Sequence, residues 1–221
     1  MNKLETVIKT LVDDLMGLAK AAIKEYGFFE KWTSLPIEVR SYSFNDYLDM
    51  ALDEAEGDYE IIFKRLQVDS RKVFQTETYF DPKTNKISEI KFLINENMIA
   101  YLLASYGGID SFMLENYLYQ SCLHEIGHMV DALKIFDGSN DNDANAFIEY
   151  YRTLDDDYLK YNEWLKEQDS ETMTTARARM EYYKIPHEQR ANEYGHVSLD
   201  LLFEILQEMD KIDNDDKERG W

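Results

Sequence analysis

LHEIGHMVD, residues 123–131, sets His124, Glu125 and His128 in an H-E-x-x-H pattern. Around it Met113, Leu114, Leu118, Cys122, Leu123, Ile126, Met129 and Val130 recur at helical spacing from Ser111 to about Lys134, so the motif sits on a helix. Residues four apart on a helix lie one above the other, and both imidazoles therefore reach one Zn²⁺ ion. Glu125 follows the first of them and stands beside the open coordination position. There it can take a proton from a water as that water attacks a carbonyl. Gly127 leaves the neighbouring surface bare, which lets another helix approach closely. Cys122 points away from the ligand face and reads as a small core residue.

The remaining histidines, His187 and His196, both fall in PHEQRANEYGH (186–196). Pro186 opens a helix on which Glu188 and Asn192 are four apart, with Ala191 and Gly195 on roughly the same face. Such a helix can pack against the Gly127 side and offer Glu188 as a third ligand. Asn192, one turn on, is then placed to hydrogen-bond a ligand histidine, and Asp131, three residues after His128, is a second candidate for that role. The competing reading of Glu188, Asn192 and Asp131 is ordinary surface polarity on a very acidic chain. His187 is expected to point off its helix face to the surface. Arg177, Arg179 and Arg190 read as a solvated face in local charge balance.

These two segments resemble a gluzincin-type zinc peptidase, with H-E-x-x-H on one helix and a Glu ligand on a later one. E-Q-R-A-N-E-Y-G is similar to the E-x-x-A-N-x-aromatic-small pattern of the ImmA/IrrE family, intracellular metallopeptidases, often linked to phages or mobile elements, that act on repressor proteins. H-E-x-x-H-x-x-D with a later E-x-x-A also resembles the lethal-factor and Pro-Pro endopeptidase group. The resemblance implies one Zn²⁺ per chain, held by His124, His128 and Glu188, with Glu125 as the catalytic residue. It makes 137–184 an insertion. Related zincins place a Tyr or His near the Glu ligand to stabilise an oxyanion, which makes Tyr182, Tyr183 and His196 candidates. Packing is the competing role for the two tyrosines.

Outside the motifs, Leu4, Val7, Ile8, Leu11, Val12, Leu15, Leu18, Ala19 and Ala22 predict an amphipathic helix over 4–25, ending near Gly27. Residues 28–42 read as a connection. A Ser43–Asp46 capping box opens one or two helices over 44–66. KVFQTETYF (72–80) and ISEIKFLIN (87–95) alternate around the turn DPKTNK (81–86) and predict a hairpin. ENMIAYLLASY (96–106) suits a short helix or a third strand. Helices follow over 146–167, 172–184, from Pro186 and over 198–209. The expected fold is α+β, a mostly helical zincin-like domain with one small antiparallel sheet. It is a single domain over 1–221: an N-terminal helical part (1–70), the small sheet (71–110) and active-site helices (111–221).

Asp and Glu number 44 against 24 Lys and Arg, a formal charge of −20. That repels phosphate backbones and argues against direct nucleic-acid binding. A single cysteine makes no internal disulfide, the first residues show no signal-peptide apolar region, and no uncharged stretch approaches the ~18 residues of a membrane span, so a cytoplasmic protein is expected. The function expected is a zinc metallo-endopeptidase acting on a protein substrate, a basic DNA-binding repressor being a candidate. Two alternatives stand beside it. One is a non-catalytic acidic interaction protein that imitates DNA toward a basic partner; the other is a zinc protein whose site is structural or silent without a partner.

Overall fold

KISEIKFLIN (86–95) alternates at first and ends in an uninterrupted apolar run, and in the computed structural model it becomes the central strand of a small sheet. The structure describes residues 3–25, 37–43, 72–81, 83–84, 86–106, 111–134, 144–168 and 173–219. Its elements are α1 (Lys3–Glu25), β1 (Ile37–Tyr42), β2 (Phe74–Asp81), β3 (Lys86–Asn95), α2 (Glu96–Ser105), α3 (Ser111–Lys134), α4 (Ala144–Lys166), α5 (Thr175–Tyr182), α6 (Pro186–Gly195) and α7 (Leu199–Arg219). The described residues are thus mostly helical, with one three-stranded sheet, an α+β arrangement. The expected helices over 44–66 with their capping box and the helix end near Gly27 lie outside the described residues. Where the sequence reading sets one domain, contacts group the chain into two compact units: residues 1–79 with 88–107, and 80–87 with 108–221.

In the first unit the sheet order is β1-β3-β2, with β2 and β3 forming the expected hairpin. β1 pairs with β3 in parallel, from Ile37 opposite Ile90 to Tyr42 opposite Asn95. The sheet is therefore mixed, not antiparallel, and 37–42 is a strand and not a connection. The alternation of Ile37, Glu38, Val39 and Arg40 was the available signal, but a parallel partner lies a long crossover away and leaves no local turn to announce it. Flanked on both sides, β3 buries Phe92, Leu93 and Ile94 in succession, as a central strand must. Asn95 then converts strand into helix. Its Oδ1 accepts from the N–H groups of Asn97 and Met98 at 3.1 and 3.2 Å, capping α2, while its Nδ2 donates to Lys72 O at 3.1 Å. The segment 96–106 is accordingly a helix. α1 packs on β1 and α2 and buries Leu11, Val12, Leu15, Ala19, Ala22 and Ile23, with Val7 left 45% exposed.

In the second unit α3 packs against α6 and α7, and α5 against α7. Leu114, Leu118, Cys122, Ile126, Met129 and Val130 form the buried stripe of α3, and Leu202, Ile205, Leu206 and Met209 that of α7. Two side chains tie helix starts to other helices: Asp210 accepts from Ala176 N at 2.8 Å, and Gln120 Oε1 from Ser198 N at 2.7 Å.

Candidate metal centre

α3 and α6 touch backbone to backbone. A Cβ on Gly127 would stand 1.9 Å from Ala191 O, and one on Gly195 would stand 2.3 Å from Leu123 O. These two contacts step one turn up one helix and one turn down the other, so the pair is antiparallel. The same register sets His128 opposite Glu188 and His124 opposite Asn192. Pro186 suits the first position of α6, where an N–H has no helical partner anyway, and Glu188 falls in the first turn, where the helix dipole favours a carboxylate.

Three donor atoms converge between the helices. Glu188 Oε2 lies 2.9 Å from His124 Nε2 and 3.2 Å from His128 Nε2, and the two imidazole nitrogens are 3.1 Å apart. Ligands at ~2.0–2.1 Å around a tetrahedral Zn²⁺ sit about 3.3 Å from one another, so the triangle has the right size for such an ion, and two imidazoles with a carboxylate are a suitable donor set. His124 Nδ1 donates to Asn192 Oδ1 at 2.8 Å. That bond selects the tautomer whose Nε2 lone pair faces the triangle. Glu188 is fully buried. Burial alone would push its carboxyl up, but the imidazoles of His124 and His128 outweigh that and hold it well below the usual carboxylate range. Burial works against charge on His128, yet Glu188, Glu125 and Asp131 together hold its imidazole above its ordinary value. His124, His128 and Glu188 thus form a group that could hold a metal ion. Glu125 is half-buried beside the group, close enough for its charge to act on His128, Tyr158 and Tyr183.

Set beside family models, characterised proteins and solved structures, the chain matches none. No described helix is long and apolar enough to cross a membrane.

The other expected site residues take different places. Asp131 pairs with Arg190, whose Nε donates to Oδ1 at 2.9 Å and to Oδ2 at 3.1 Å, so both clamp α3 to α6. Arg190 is therefore not merely a solvated charge. Tyr183 is buried edge-on against the His124 ring, with centroids 5.2 Å apart. The Tyr182 hydroxyl donates to the Tyr158 hydroxyl oxygen at 3.3 Å, and the Tyr158 hydroxyl donates to Glu188 Oε1 at 2.9 Å. Tyr182 is thus one step behind Glu188. His196 is exposed and ends α6 in the left-handed conformation (φ 53°), outside the triangle. His187 is fully buried, contrary to its expected surface position, because its ring is enclosed by Tyr158 of α4, with centroids 4.5 Å apart, and by His128 of α3 at 5.9 Å. Its Nε2 lies 3.0 Å from Glu188 Oε1 but off the direction of a hydrogen bond, and among the described residues neither ring nitrogen has a hydrogen-bond partner.

Tyr158 is the residue that sequence reasoning missed. The only signal was its place in a Tyr-rich helix, thirty residues before Glu188, with no spacing to link the two.

Proposed function

We propose that this chain is a zinc-dependent endopeptidase that hydrolyses a peptide bond in a protein substrate. The observation that supports this best is the convergence of His124 Nε2, His128 Nε2 and Glu188 Oε2 within 3.2 Å of one another, with Glu125 beside them. Held by these side chains, zinc supplies Lewis acidity toward a water and toward the scissile carbonyl oxygen. Glu125 takes the proton that the water loses as its oxygen bonds to the carbonyl carbon. It then returns that proton to the nitrogen as the C–N bond breaks. Asn192 keeps His124 in its ligating tautomer, and Glu188 stays ionised. Neither Tyr182 nor Tyr183 is assigned the oxyanion, since one hydroxyl bonds Tyr158 and the other ring packs on His124.

A formal charge of −20 favours encounter with a basic substrate, and a cytoplasmic DNA-binding repressor fits that description. The test is Glu125→Gln, which keeps size and loses the base. Cleavage of the substrate protein should fall about 10²- to 10⁴-fold while metal content is unchanged. Equal cleavage by both proteins would remove the peptidase reading, and retained biological effect with Glu125→Gln would favour the acidic interaction protein instead.

A further inference from the structure

The two oxygens of Glu188 have separate neighbours. Oε2 faces His124 and His128, whereas Oε1 accepts from Tyr158 and has His187 Nε2 at 3.0 Å. A carboxylate left to itself offers both oxygens to a metal. Here the second oxygen is already taken by a donor that comes from α4.

We infer that Tyr158 is a positioning residue: by donating to Oε1, with His187 packed beside it, it restricts Glu188 to ligation through Oε2 alone and so keeps the site four-coordinate. This rests on the reading of His124, His128 and Glu188 as a metal centre. The Tyr158 ring cannot easily turn its hydroxyl away. It stacks on Tyr182 with centroids 5.9 Å apart and stands edge-on to His187 at 4.5 Å. Tyr182 donates to the Tyr158 oxygen, which leaves the Tyr158 proton directed at Glu188, and a chain of this kind strengthens its last bond. The role also explains a buried His187. With Tyr158, it forms the wall that keeps other donors and water from Oε1.

The experiment compares the wild-type chain with Tyr158→Phe, which keeps the ring and its stacking. Zinc affinity is measured by competition with a chromophoric chelator, and the visible spectrum is taken with Co²⁺ in place of zinc. Folding of each metal-free protein is checked by circular dichroism. Tyr158→Phe should bind zinc about 10- to 100-fold more weakly. Its Co²⁺ bands should lose intensity as the freed oxygen raises the coordination number, a change that mere destabilisation does not produce. Tyr182→Phe, which removes only the donor behind Tyr158, should move both readouts the same way by less; it carries the test if Tyr158→Phe does not fold. Unchanged affinity and spectrum in either folded variant would overturn the inference and leave the metal centre standing. A wild type that binds neither ion would overturn both.

Discussion

Asn192 Oδ1, 2.8 Å from His124 Nδ1, is the contact that orients the His124 imidazole. Asn192→Ala should leave the helix pair folded but lower zinc affinity about 10- to 100-fold, measured by chelator competition, because nothing then selects the tautomer or the ring angle. Cys122, fully buried and with its thiol pushed up by burial, should react with a thiol reagent only after the protein is unfolded in denaturant. Labelling at the native rate of an exposed thiol would contradict its place in the α3 core. At this scale His124, His128, Glu188 and Asn192 were legible because a spacing of four has the same meaning along the sequence and on the helix face. Asp131, His187 and Tyr158 were not. Asp131 answers to Arg190 on α6, and His187 is buried by a ring from α4; neither partner is marked by any periodicity.

At the scale of elements, the contact of α3 with α6 depends on having no side chain at two points. Gly127→Ala would place a methyl 1.9 Å from the Ala191 carbonyl oxygen, which is backbone and cannot rotate aside. The helices must separate, at a cost of about 1–3 kcal/mol or more in unfolding free energy, read from the denaturant midpoint. Because Glu188 and Asn192 move with α6, zinc affinity should fall with it; an alanine variant of wild-type stability and affinity would contradict the close approach. The hairpin and the α3–α6 pairing were readable, since they rest on local alternation and on small residues in register, whereas 96–106 was left between helix and strand, because the Asn95 cap that decides it sits at the end of the preceding strand. β1 was not, because its identity as a strand depends on a parallel partner about fifty residues later, and such pairing needs no turn signal.

For the molecule as a whole, a bound metal adds stability by mass action to the folded state alone. With free zinc at about 100 times its dissociation constant this amounts to roughly 2.7 kcal/mol, so a chelator should lower the melting temperature and added zinc restore it. Charge acts at the same scale. A net −20 should make association with a basic substrate faster at low ionic strength and slower as salt is added, which stopped-flow measurements would show. The sequence reading of an α+β chain with one small sheet holds among the described residues, though the sheet is mixed, while the grouping into two compact units reflects contacts between segments far apart in sequence, such as α1 with α2.

The measurement that bears most directly on the centre between α3 and α6 is zinc stoichiometry by native mass spectrometry, on the wild type and on Glu188→Ala. The account predicts one zinc per wild-type chain and its loss, or a much weaker hold, in the variant. A wild type that takes up no zinc after zinc addition and gentle dialysis would contradict it, as would a variant that holds zinc as tightly as the wild type.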